Sequence, residues 1–292
     1  MKNVKKILGI ILAMCFLMAF ATGCNKVEEG GSEPVDTGVQ KDKTTAILVV
    51  SFGTSYNDSR DKTIGAVENA IAKAYPQYEV RRAFTSQIII DKLKERDNLS
   101  IDNVQEALDR AVADGIKTLI VQPTHLMDGY EYNDLKEELT NYEGRFDAIK
   151  LGAPLLTSDE DFDKVIDAIT KDTESFNDGK TLVAFMGHGT EADSNEVYEK
   201  LNTKLHEKNF KNYYVGTVEA EPDLWDVINY AEDNSFSTIV LQPLMVVAGD
   251  EEDSWKSQMT SEGFQVTPVL KGLGEIEAIQ QIYVQHVADA MK

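Results

Sequence analysis

Two kinds of hydrophobic pattern alternate along the chain from residue 44 onward. Short continuous apolar runs stand at 46–51 (AILVVS), 118–122 (TLIVQ), 181–186 (TLVAFM) and 238–242 (TIVLQ). They lack polar alternation and predict strands covered on both faces. Between them, apolar residues recur at helical spacing. Ile64, Val67, Ile71 and Ala74 do so within 58–75. Ile101, Val104, Leu108 and Val112 do so in a segment that Ser100 would cap and Gly115 would end. Further strands are predicted at 78–84, 146–151, 213–217 and 264–269. Further helices are predicted from about Tyr130 and over 159–170, 194–205, 223–231, 254–259 and 276–291. Strands alternating with helices imply parallel sheets with right-handed crossovers.

The rhythm runs twice, and the two runs match in sequence. TLIVQP at 118–123 corresponds to TIVLQP at 238–243, and Gly129 falls opposite Gly249. VVSFGT at 49–54 lies over FMGHGT at 185–190. This predicts an α/β fold made by internal duplication, two doubly wound domains facing each other across a cleft. Their expected bounds are 44–155 and 156–292, the second including a connecting helix; one larger sheet is the alternative architecture. Ligands of parallel α/β folds bind at the carboxyl ends of strands. That directs attention to 51–55, 124–129, 187–190, 218–221 and 244–251.

The first 43 residues have a different pattern. Lys2, Lys5 and Lys6 precede an apolar run at 7–21, followed by Thr22, Gly23 and Cys24. A basic start, a short apolar stretch and small residues make a secretory signal. The run is short of the roughly 20 apolar residues of a spanning helix. Residues 21–24 resemble the lipobox of bacterial lipoproteins, which implies a signal peptide over 1–23, removal before Cys24 and lipidation of its sulfur. Residues 24–43, rich in Gly, Ser, Pro and charge, read as a flexible tether. The expected location is extracytoplasmic, with the membrane engaged only through the N-terminal lipid. Cys15 and Cys24 are the two cysteines. Cleavage and lipidation would leave no thiol for catalysis, metal binding or a disulfide.

Composition narrows the partners. Fifty acidic residues against 29 Lys and Arg give a formal charge of −21, which argues against nucleic acid, whose phosphates need clustered cations. No Gly-x-Gly-x-x-Gly with a following acid is present, so a nucleotide cofactor is not expected.

The sharpest local feature is Gly187, His188, Gly189 and Thr190. Flanking glycines let the backbone turn tightly and let a ligand approach the imidazole. Imidazole is both a ligand for borderline transition metals and a proton acceptor near neutral pH. Glu219, at another strand end, could complete a His/carboxylate metal site with it. His125 is a candidate for lining the cleft or for a packed structural role. His206 and His286 read as surface residues of helices. Ser51, Gly53, Thr54 and Ser55 put small and hydroxyl-bearing residues at a strand end, suited to anion binding.

Together VVSFGTSY at 49–56, GHGT at 187–190, GTVE at 216–219, LMVVAGD at 244–250 and EDSWK at 252–256 resemble the anaerobic sirohydrochlorin cobaltochelatases, the class II chelatase family. The resemblance covers residues 44–292. It implies two flavodoxin-like domains and ATP-independent insertion of Co²⁺ into sirohydrochlorin during cobalamin synthesis. Fe²⁺ and Ni²⁺ are alternative metals, and homo-oligomer formation stays open. It also implies metal-facing roles for His188 and Glu219, with His188 taking a pyrrole proton; Ser51, Gly53, Thr54, Ser55 and His125 are then the expected substrate contacts. The family's third metal-facing residue, a His after Ala-Gly-Asp, is absent here. That His and about eight following residues are missing by motif alignment, and Glu251 takes the vacated place. Sirohydrochlorin carries eight carboxylates, and Arg60, Arg81 and Arg82 are the cations that could offset them. The alternative function is a non-catalytic tetrapyrrole- or metal-binding lipoprotein.

Overall fold

The computed structural model describes residues 42–249 and 252–292. The predicted signal peptide, most of the tether, Cys24 and Glu251 lie outside the described residues. No helix among the described residues is long and apolar enough to cross a membrane.

The first half contains β1 (Thr45–Ser51), α1 (Asn57–Lys62), α2 (Ile64–Ala74), β2 (Glu79–Phe84), α3 (Gln87–Asp97), α4 (Val104–Ala113), β3 (Thr118–Pro123), α5 (Tyr130–Thr140) and β4 (Ala148–Leu151). After α6 (Asp159–Asp172) come β5 (Thr181–Gly187), α7 (Glu196–Glu207), β6 (Tyr213–Thr217), α8 (Leu224–Asp233), β7 (Thr238–Pro243), α9 (Glu252–Ser261), β8 (Gln265–Pro268) and α10 (Glu277–Met291). The strands form two parallel four-stranded sheets, ordered β2-β1-β3-β4 and β6-β5-β7-β8. The duplication extends to register: Val49 pairs with Gln122 and Val50 with Pro123, as Phe185 pairs with Gln242 and Met186 with Pro243.

Each sheet is covered twice, which is why its central strands are apolar at every position. Ile47 and Val49 of β1, with Val183 and Phe185 of β5, face a shared core filled by α2, α6, α7 and α10. Ala46, Leu48 and Val50 face α4 and α5 on the outside of the first sheet. Leu182, Ala184 and Met186 face α8 and α9 outside the second. The C-terminal helix returns to the first half: the Tyr283 hydroxyl donates to Thr124 O at 2.9 Å, and Lys150 Nζ to Met291 O at 2.6 Å.

Three expectations are corrected. The helix expected over 58–75 is two helices meeting at Thr63, because Gly274 packs directly on Thr63's backbone; a Cβ there would lie 2.8 Å from Thr63 Cα. The cap expected at Ser100 is Asn103, whose side chain accepts Glu106 N–H while the Glu106 carboxylate accepts Asn103 N–H. His286 is buried, with Nδ1 3.1 Å from Ala153 O and Nε2 3.0 Å from Asp161 Oδ1. His206 is half-buried and stacks on Tyr230 with centroids 5.3 Å apart.

Candidate active site

The carboxyl ends of the two sheets face one another. Ser59 Oγ of α1 donates to Ala248 O, after β7, at 3.5 Å. On the other side Gly129, after β3, lies against Ser194, just before α7; its Cβ would be 3.6 Å from Ser194 Oγ. As far as they fall among the described residues, the strand-end segments flagged by the sequence therefore gather at the junction of the two halves.

His188 follows the last residue of β5, and Glu219 lies two residues past β6. Adjacent parallel strands bring them together: His188 Nδ1 is 3.5 Å from Glu219 Oε2. Two donors held about 2.1 Å from one tetrahedral first-row ion sit roughly 3.4 Å apart, so this spacing fits a shared metal. Both side chains are more than half exposed, at 55% and 61%, and so are open to ligand.

Backbone bonds fix the pair. His188 O accepts Glu219 N–H at 2.9 Å, and Gly187 O accepts Val218 N–H at 3.0 Å. The Asn195 carboxamide ties the loops a second time, donating to Glu221 O at 2.6 Å and accepting Thr190 N–H at 3.1 Å. The flanking glycines are required by contact. A Cβ on Gly187 would lie 2.3 Å from the Tyr198 ring. Gly189 has φ +87°, and a Cβ there would meet Ala220 N at 2.9 Å. Tyr198 supports the turn by accepting Gly189 N–H at 3.3 Å; burial pushes its phenol up to about 12.

Comparison with known proteins gives this arrangement a lineage. The profile of the cobalt chelatase (CbiK) family matches residues 45–292. The sirohydrochlorin cobaltochelatase of Salmonella typhimurium is 36% identical over 255 residues, covering 84% of this chain and 96% of that protein. The chain belongs to the cobalt chelatase family. A second relative in it, sirohydrochlorin cobaltochelatase CbiKC of Nitratidesulfovibrio vulgaris, is 28% identical over 256 residues, 84% of this chain and 90% of its own. SirB from Bacillus subtilis, solved with Fe³⁺ and with cobalt, shares the fold at TM-score 0.61. Those two structures are 16% and 15% identical, each covering 85% of this chain and 95% of the SirB chain. CbiX, the terminal enzyme of siroheme synthesis in denitrifying bacteria, shares the fold at TM-score 0.54 and 15% identity. It covers 85% of this chain and all of its own. The class II chelatase architecture expected from the motifs is the architecture observed.

The chelatase's first half uses its strand-end residues differently. Ser51 Oγ accepts the Thr124 hydroxyl at 2.8 Å, Thr54 Oγ1 accepts Tyr56 N–H, and Ser55 O accepts Arg96 Nη2. All three residues are buried, and Gly53 packs on the Phe84 ring. Both nitrogens of His125 are sealed from solvent without a hydrogen bond. Burial holds its imidazole below the ordinary histidine value, against an opposing pull from Glu131. Glu221, Asp223 and Asp226, which composition did not single out, follow Glu219 in the chain and have carboxylate oxygens within 4.8 Å of one another. Asp223 caps α8, and a hydrogen bond with Asp226 raises the Glu221 carboxyl. Asn195 and Tyr198 also went unnoticed in the sequence, because their roles depend on which loops the fold brings together.

Proposed function

We propose that this chain is a sirohydrochlorin cobaltochelatase, inserting Co²⁺ into the macrocycle without a nucleotide. The observation that carries the reading is the exposed His188–Glu219 pair at 3.5 Å, in a chain of the cobalt chelatase family.

The reaction exchanges two pyrrole N–H protons for one divalent cation. His188 and Glu219 offer a nitrogen and an oxygen donor, a mixed set suited to Co²⁺. As the ion passes to the ring nitrogens, the released imidazole and carboxylate are bases placed to take the pyrrole protons. Glu251, in the position of the missing family His, would add a third donor, a second oxygen. The rim suits a flat, partly apolar ring. Phe52, Tyr56, Ile88, Tyr130, Val218, Trp225 and Leu270 are the large hydrophobics exposed among the described residues. Phe52, Val218 and Leu270 stand one or two residues past the carboxyl ends of β1, β6 and β8.

Purified protein mixed anaerobically with Co²⁺ and sirohydrochlorin should convert the free-base absorption spectrum to the metallated one at a catalysed rate. Macrocycle binding with no metallation above background would instead favour the non-catalytic binding lipoprotein.

The same reading places the enzyme outside the cytoplasm, tethered through Cys24. What supports it is the basic, apolar and small-residue order of 1–24. Lipid labelling of the native protein is expected, with loss of label in Cys24→Ser. A wholly unlabelled native protein with a different N-terminus would remove the tether.

A further inference from the structure

Of the three arginines that could offset the macrocycle's carboxylates, two are already neutralised. Arg81 pairs with Glu79 at 2.8 Å and with Asp114 at 2.9 Å. Arg82 makes a two-point pair with Glu68, Nε to Oε1 at 2.7 Å and Nη2 to Oε2. Arg60 is different. It is 6% exposed, and its ion partner is Asp61, 3.7 Å away and itself largely in solvent. Nη1 donates to a neutral oxygen, Asn57 Oδ1, at 2.9 Å. Nε is buried without a hydrogen bond. Nη2 makes none among the described residues, and unlike Nε it is not sealed from solvent.

The surroundings add positive charge. Arg96 Nη2 donates to the same Asn57 Oδ1 at 3.0 Å, so two guanidiniums converge on one carboxamide oxygen. Arg96 has its own counter-ion in Asp97. Burial and then the fields of Arg82 and Arg96 press against Arg60's charge, and Asp61 and Asp97 oppose them. A buried cation without a two-point anionic partner is costly to the fold. Such a group is kept where an anion completes it, and a guanidinium fork matches a carboxylate.

Position completes the argument. Arg60 lies on α1, directly after the 51–55 turn, beside exposed Phe52 and Tyr56. The next residue back, Ser59, contacts the Ala248 loop of the other half. We propose that Arg60 anchors an anion subsite on the first half's wall of the cleft, taking one carboxylate arm of the tetrapyrrole. This rests on the chelatase reading and adds to it how the ring is held in one rotation.

The test is Arg60→Met, which keeps length and removes charge, with Arg60→Lys beside it. In anaerobic absorbance titrations, sirohydrochlorin affinity should fall roughly tenfold or more in Arg60→Met, with Lys between. Wild-type affinity should drop with added salt, and the variant's should drop less. Co²⁺ affinity by calorimetry should stay at the wild-type value, and ligand-free thermal stability should be equal or higher. Unchanged sirohydrochlorin affinity overturns the subsite. So does a loss accompanied by lower ligand-free stability, the mark of a structural cation. If wild type binds no sirohydrochlorin, the chelatase reading fails separately. Citrate, a small polycarboxylate, then probes the subsite: a thermal shift in wild type that Arg60→Met lacks upholds it, and equal responses overturn it.

Discussion

Replacing His188 with alanine should cut the rate of cobalt insertion by about a hundredfold or more, while sirohydrochlorin still binds. The size follows from losing two functions in one side chain. The variant removes the nitrogen donor of the ion-holding pair and an acceptor for a departing pyrrole proton, and a placed general base alone contributes roughly 10²–10⁴. Binding is spared under the proposed reading, in which exposed apolar side chains and Arg60 hold the ring. The fold is spared because His188 is 55% exposed, and its backbone, not its ring, carries the bonds to Val218 and Glu219. Glu219→Gln should weaken both functions at the partner residue. Glutamine keeps the size but is a weaker, uncharged donor and no base, so calorimetric Co²⁺ affinity should fall along with the rate. Wild-type turnover in His188→Ala would defeat the mechanism outright.

How much of this was readable in the sequence depended on whether the cause was local. The central strands were legible because burial on both faces leaves an unbroken apolar run, and the two Gln-Pro strand ends gave the duplication that the register repeats. The juxtaposition of His188 and Glu219 was legible because both stand just past the ends of strands, His188 between two glycines. The helix α3 was not among the predicted elements: three β-branched residues in a row, Ile88, Ile89 and Ile90, give no helical period, and only Ile90 and Leu93 are buried in the core beneath it. The break at Thr63 comes from a glycine more than 200 residues away. His286 looked like a surface residue because α10 is covered by both α2 and α6, a fact of tertiary packing. Arg60 stood in the sequence as one of three equivalent cations, and what sets it apart, like the clamp made by Asn195, was invisible for the same reason. A charge without a partner, or a clamp between loops, exists only once distant segments meet.

The largest loss of stability should come from Asp161→Ala, far from the chemistry. Asp161 and His286 are 7% and 6% exposed and join α6 to α10 in the layer both sheets share. The carboxylate has two tasks: Oδ1 faces His286 Nε2 at 3.0 Å, and Oδ2 accepts Ser158 N–H at 2.9 Å and the Ser158 hydroxyl at 2.7 Å. Alanine leaves a buried imidazole nitrogen and the helix cap without their partner, a loss of about 3–5 kcal/mol. For a domain of this size that is a fall of roughly 10 °C in Tm. The dependence on acid has a definite sign. Burial alone would raise the Asp161 carboxyl, but the Ser158 N–H, His286 and the Ser158 hydroxyl outweigh it and hold it below the ordinary aspartate value. Its folded pKa is therefore the lower one. The contribution is complete above the unfolded value near pH 4 and is lost as pH falls through the folded value. Thermal melts of wild type and Asp161→Ala at pH 7 should differ fully, and the gap should narrow at strongly acid pH. Equal Tm values at pH 7 would show that the α6–α10 pair does not hold the layer together. The contrast with His188 is the useful part: one variant loses turnover at unchanged Tm, the other loses Tm with the turnover of the folded fraction intact.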